Sequence, residues 1–166
     1  DHMGFAYSMT PVIEKLYKTK EDRKEALERH MEFFNITVYF STLVLGIVTA
    51  MEEKRAKDPN FDTSSINNVK ASLMGPLSGI GDSIFLGTLR IIAAGIGASL
   101  CMNGNPFGAI LFLLLYNIPA FAVRYIGMMK GYELGTTLLE KIQKSGMMDK
   151  VTNMTGIVGL MTIGSM

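Results

Sequence analysis

The sequence predicts an all-α, polytopic membrane protein with an N-terminal amphipathic helix, a re-entrant glycine-broken hairpin and several transmembrane helices. Three observations carry that reading. Of the 166 residues, 48% are apolar and only 19% charged, a balance too apolar for a soluble globule. The charges are also segregated: no Asp, Glu, Lys or Arg occurs in 33–51, 71–81, 91–123 or 151–166, and a bilayer core asks for about 20 apolar residues as helix. The third is a count of 17 glycines, a residue that lets membrane helices approach closely.

Nearly all the charge sits in 14–32, 52–62 and 130–150, for a net +1. Lys15, Lys18, Lys20, Arg23, Lys24 and Arg29 interleave with Glu14, Glu21, Asp22, Glu25, Glu28 and Glu32. That is a solvated helix face, not the one-signed patch a nucleic acid requires. Cys101, the single cysteine, lies in an apolar run and reads as packing. His2 and His30 have no Cys or carboxylate partners at ligand spacing, so no metal or other cofactor is expected. No Ser-His-Asp order offers nucleophilic catalysis.

Along the chain, Thr19 and Asp22 offer a cap for a helix over 20–34, where Leu27, His30, Met31 and Phe34 recur at three and four residues. Region 4–34 is thus an amphipathic N-terminal part, seated on lipid or on a partner. The rest, 35–166, is the membrane-embedded part. Its first stretch, 33–51, is long enough to cross a bilayer, but Asn35, Thr37, Ser41, Thr42 and Thr49 suit a site among other helices better. The polar segment 52–68 follows, with a turn at Asp58-Pro59-Asn60, and its Lys54, Arg55 and Lys57 point to the cytoplasmic side.

Residues 71–102 exceed one straight span, and Gly75, Pro76, Gly79 and Gly81 are the expected structural breaks. A re-entrant limb over 69–79 and a helix over 83–100 fit the lengths. Unwound backbone in lipid must meet protein, water or ligand, which points to a transport path there. Gly81-Asp82-Ser83 stands where a phosphate loop needs Gly-Lys-Ser or Gly-Lys-Thr, so nucleotide binding is not indicated. Asp82 and Arg90, about two helical turns apart, serve either as a structural ion pair or loop cap or in a substrate-lining or gating role.

Asn103-Gly104-Asn105-Pro106 is a turn carrying no charge, and the lysines beyond it place that tip outside. A helix over 107–129, with Pro119 inside it, and an exposed helix over 134–144 are expected next. Gly127, Gly131 and Gly135 share one face and predict close helix packing. The first residues do not resemble a charged leader with a short apolar core, and the run 151–166 is too short to span. The chain is therefore expected to continue beyond both ends.

Several strings then point to one family: 4–11 (Gly-Phe-Ala-Tyr-Ser-Met-Thr-Pro), 29–35 (Arg-His-Met-Glu-Phe-Phe-Asn), 50–56 (Ala-Met-Glu-Glu-Lys-Arg-Ala) and the glycine-rich block 73–90. In this order they resemble the IID membrane component of the mannose/fructose/sorbose-type sugar phosphotransferase system (PTS). The resemblance spans residue 4 to the end and makes 1–166 a single, truncated IID-type membrane domain. It implies a multi-pass protein of the bacterial inner membrane, in contact with lipid and paired with a IIC subunit of inverted topology in a trimer of IIC–IID pairs. A hexose-type sugar would cross between them and be phosphorylated by cytoplasmic IIB, charged by IIA, or by a fused IIAB. The phosphohistidines would lie on those partners, so the chain itself is expected to be no enzyme. Asn35, Asp82 and Ser83 are the expected substrate-binding residues, since amide, carboxylate and hydroxyl suit sugar hydroxyls; for Asn35 a helix cap is the competing role. Glu52 and Arg90 are candidates for a gate or an ion pair. The competing function is a non-transporting membrane scaffold whose glycines serve packing alone.

Overall fold

In the computed structural model, the N-terminal third folds as three helices over the start of a long rod. The backbone is described for residues 2–145 and the side chains for residues 2–140; the run 151–166 lies outside the described residues. The first helix, α1 (His2–Leu16), buries Phe5, Ala6, Met9 and Ile13, which fall on one stripe at helical spacing. The second, α2 (Lys20–His30), starts where Thr19 Oγ1 accepts the backbone N–H of Asp22 at 3.2 Å and donates to the Asp22 carboxylate at 2.7 Å. It ends at His30, four residues short of the expected Phe34. The β-branched run Ile36-Thr37-Val38 disfavours helix, and Phe34 and Ile36 turn inward while Phe33 and Asn35 stay exposed, the period of extended chain.

Helix α3 (Ser41–Lys57) buries Val44, Ile47, Val48 and Met51 toward the N-terminal core. Its Gly46 and Ala50 meet the last helix, α6 (Phe107–Ser145). A Cβ on Gly46 would lie 2.5 Å from the Met128 carbonyl oxygen and the Tyr132 nitrogen, and one on Gly135 would lie 2.8 Å from Ala50 Cβ. Gly131 is pressed against the Leu43 carbonyl in the same way. The glycine face 127, 131, 135 is the α3 seat.

The expected re-entrant hairpin is not formed. Helix α4 (Ser64–Gly81), a π-helix (Asp82–Leu89) and α5 (Arg90–Met102) make one continuous helical rod of 39 residues. Gly81, Asp82, Leu89 and Arg90 all keep right-handed helical dihedrals, near φ −62 to −65°. Gly75, Pro76, Gly79 and Gly81 therefore break nothing. Pro76 forfeits one backbone hydrogen bond without ending the helix, and Gly81 is needed for close approach, because a Cβ there would run into the Thr37 side chain. The irregularity is a change of winding, from α to π, beginning at Asp82.

The turn at 103–106 forms as expected, with Gly104 at φ 78° and Asn105 Oδ1 accepting the Phe107 N–H at 3.0 Å. Helix α6 runs on through Pro119 and through 134–144, so the separate exposed helix expected there is its continuation. The stretches Ser64–Met102 and Phe107–Glu140 are long and apolar enough to cross a membrane. Only 17% and 6% of their most apolar windows are buried, so they are not core helices of a soluble fold. At ~1.5 Å per residue the first rod is about 58 Å long, nearly twice a hydrocarbon core of about 30 Å. Its first turns, under α1–α3, have length to spare outside that layer.

Candidate functional site

Four elements meet at a buried ionic centre. Glu52, near the end of α3, is fully enclosed, as is His30 at the end of α2. Tyr17, just past α1, donates its hydroxyl to Glu52 Oε2 at 2.5 Å; His30 Nε2 lies 2.8 Å from Oε1, and Arg29 Nη1 lies 3.5 Å from the same oxygen. On the far side of the imidazole, Lys70 of α4 brings Nζ to 3.4 Å from Nδ1. Its ammonium rests on the rings of Phe5 and Phe34, at 4.7 and 5.4 Å. The consistent proton placement puts the hydrogen on His30 Nε2 for Glu52 and leaves Nδ1 to accept from Lys70.

Burial pushes the Glu52 carboxyl up, but the hydrogen bonds from His30 and Tyr17 and the charge of Arg29 outweigh it and hold it below its ordinary value. Burial holds His30 below the ordinary imidazole value against the pull of Glu52, with Lys70 and Arg29 adding to the depression. Burial, and then the bond to Glu52, push the Tyr17 phenol up. The centre is thus a carboxylate with three donors and a neutral histidine. A cavity of about 520 Å³, lined by Glu25, Glu28, Arg29, Glu32, Asn67 and Asn68, lies on the outer side of Arg29.

The expected sugar-path residues lie elsewhere, along the seam where 34–40 runs beside the rod. The Asn35 N–H donates to Met74 Sδ at 3.0 Å, and the Thr37 N–H to Ser78 Oγ at 3.3 Å. Further along, Tyr39 stacks on Phe85 with ring centroids 4.0 Å apart, its hydroxyl meets that of Tyr116, and Arg124 sits 5.5 Å over its ring. Asn35 and Asp82 are both exposed and belong to opposite partners of this seam. They are not in contact, since Met74 and Asp82 are eight residues apart on the rod, about 12 Å of rise. Ser83 donates its hydroxyl to the Gly79 carbonyl at 2.8 Å. No ion pair joins Asp82 to Arg90 among the described residues: the whole π-helix separates them. Glu52 is brought to Arg29 and His30, not to Arg90.

Lys70 and His30 are members of the centre that were not among the expected site residues. A signal existed: Ile66, Lys70, Leu73 and Leu77 occupy one helical face, so Lys70 sits where an apolar residue belongs. Glu52 continues the Val44, Val48 stripe in the same way. A charge in phase with a core face needs a buried partner.

These features define a helical membrane protein in which a polar, self-satisfied head carries two bare apolar rods. Comparison with known proteins narrows the class. The family model of the PTS system mannose/fructose/sorbose family IID component matches residues 1–166. The mannose-specific EIID component of Escherichia coli K12 is 41% identical over 165 residues, 99% of this chain and 58% of that protein. The sorbose-specific EIID component of Klebsiella pneumoniae is 39% identical, over 98% of this chain and 59% of that one. The cryo-EM structure of the mannose transporter ManYZ in complex with microcin E492 contains a chain that superposes with a TM-score of 0.92 at 40% identity, covering 98% of this chain and 60% of that one. The protein belongs to the mannose/fructose/sorbose PTS IID family. The chain spans somewhat under two thirds of the length of these relatives.

Proposed function

We propose that this chain works as a IID subunit that forms, with a IIC subunit, the translocation path for a hexose-type sugar, in a trimer of IIC–IID pairs in the bacterial inner membrane. Cytoplasmic IIB, charged by IIA, phosphorylates the sugar; the chain supplies the path and no catalytic group. Asp82 carries this reading. It is an exposed carboxylate with no ion-pair partner among the described residues, at the head of a π-helix inside a membrane-capable rod. A charge in such a helix is costly unless it serves a polar path or meets a partner's polar group, and π-helical segments are frequent at functional sites. Asn35, across the seam, and Ser83 add an amide and a hydroxyl. The exposed apolar faces of α5 and α6 suit lipid and a membrane partner. The uncharged turn 103–106 lies outside and the lysine-bearing ends inside.

The test is sugar uptake by cells carrying the full-length chain and its IIC partner, with Asp82→Asn and Asn35→Ala compared at matched complex abundance. At least a tenfold loss in the first and a smaller loss in the second are expected. Unchanged uptake in both would defeat the path and leave a packing scaffold.

A further inference from the structure

We propose that Lys70, His30 and Glu52 are positioning residues forming a proton-sensitive latch: neutral His30 ties the α4 rod to α2 and α3, and a second proton on it expels Lys70 and loosens the seam that holds Asn35. The effect on sugar transport rests on the path reading above; the latch itself does not.

The geometry leaves one place for that proton. Nε2 is committed to Glu52 at 2.8 Å, so an added proton goes to Nδ1, which faces the Lys70 ammonium at 3.4 Å. An acceptor becomes a donor, and two like charges then share a buried site. Of the acids nearby, Glu25 is already taken up by Arg29 at 3.7 Å. From α1 His30 meets the Phe5 ring at 5.8 Å, from α2 its neighbour Arg29, from α3 Glu52 and from α4 Lys70. Glu52 is already engaged by Tyr17, Arg29 and His30 itself. Glu32 acts on Lys70 without forming an ion pair with it. Burial keeps His30 neutral near neutrality, so the latch opens on acidification. The cavity beside Arg29 brings solvent up to one of the groups bonded to Glu52, while His30 and Glu52 themselves stay enclosed.

Displacement at Lys70 is transmitted by the rod. Met74 and Ser78, one and two turns further on, accept the backbone N–H groups of Asn35 and Thr37. Movement of Lys70 away from His30 therefore shifts the two contacts that set the Asn35 segment. Asp82, one more turn along, shifts with them.

The test uses the full-length chain with its membrane partner in nanodiscs, on a Cys101→Ser background, with spin labels at Lys24→Cys on α2 and Ala71→Cys on α4, both exposed. Between pH 7.5 and 5.5 the inter-label distance should lengthen or broaden, and uptake into proteoliposomes should fall several-fold. His30→Gln keeps a donor for Glu52 and an acceptor for Lys70 but cannot titrate, so its distance and uptake should be flat with pH. Lys70→Met, which removes the repelled charge, should flatten them as well and serves if His30→Gln does not assemble. A distance that stays fixed in the wild type, or that moves equally in the variants, overturns the latch. A distance that moves as expected while uptake stays constant upholds the latch and counts against the path through Asn35 and Asp82.

Discussion

The two halves of this chain follow opposite packing rules. In α1–α3 and the first turns of α4, the apolar stripes go inside and enclose a polar centre: Glu52 and His30 are fully buried, with Arg29 and Lys70 beside them. In α5 and α6 large apolar groups go outside, with Ile91 65% and Phe121 62% exposed. A buried charge is tolerable only with complete pairing, and an exposed apolar face only where the surroundings are themselves apolar. The N-terminal half therefore draws its stability from its own core, with the polar network satisfied inside it, whereas the rods draw theirs from what surrounds them. Substitutions inside the network should unfold the protein, and substitutions on the rods should leave its fold largely untouched.

The largest effect is expected at Glu52. Glu52→Ala leaves Arg29, His30 and the Tyr17 hydroxyl facing a hole, and loss of one member of a buried ionic group costs about 3–5 kcal/mol. The change should appear as a strongly lowered melting temperature, or failed accumulation, of the full-length protein in detergent. Glu52→Gln, which still accepts from Tyr17, should lose less. A cost below about 1 kcal/mol for the alanine variant, the range of exposed pairs, would mean that the centre is wet and the contrast between halves is wrong.

Next comes the joint between the halves, where α3 lies directly on α6. Gly131→Val forces a branched side chain against the Leu43 carbonyl, and overpacking of this kind costs about 1–3 kcal/mol. Thermal melts of the variant, beside Gly131→Ala, should rank by side-chain volume. Equal melting of all three would show that the two helices separate freely.

Acid should weaken the first half alone. His30 has its folded value lowered, so the unfolded chain takes up the proton more readily, and stability falls as pH drops below the ordinary imidazole value of about 6.5. Glu52, also held low, contributes stability present above the ordinary carboxylate range and lost as pH falls through its folded value. The first loss should have a slope of at most ~1.4 kcal/mol per pH unit for one proton. It should vanish in His30→Gln, as measured by melting between pH 7.5 and 5.5.

The same contrast explains what the sequence made legible. Apolar runs, the turn at 103–106 and the glycine face of α6 could be read because each depends on local composition or on one helix's own spacing. The non-helical stretch 33–37 is less legible, because beside its β-branched residues it is held by α4 lying alongside, through Met74 and Ser78. Glu52 was singled out as a candidate for an ion pair, yet its partners Tyr17, Arg29 and His30 come from other elements, 22 to 35 residues away. Nothing periodic links them. Asp82 stands out in the sequence as a lone carboxylate in an apolar helix, whereas the pairing of Met74 and Ser78 with 35 and 37 leaves no mark in the spacing.

The smallest effect is expected at Gly75, and it separates two accounts of the glycines. If glycine breaks the rod there, alanine should damage the protein, since a helical residue would be forced on an unwound site. The backbone is helical at that point, and a Cβ on Gly75 would meet nothing within 4 Å. Alanine in a helix interior is favoured over glycine by roughly 0.5–1 kcal/mol, because glycine gives up more freedom on folding. Gly75→Ala should therefore raise the melting temperature slightly, whereas Gly81→Ala, four residues before Phe85 and pressed against Thr37 and Phe40, should lower it. Measured side by side in detergent, a loss at Gly75 as large as that at Gly81 would restore the broken-helix account. A gain at one and a loss at the other would mean that glycine is required in this rod only where another strand of the chain must lie against it.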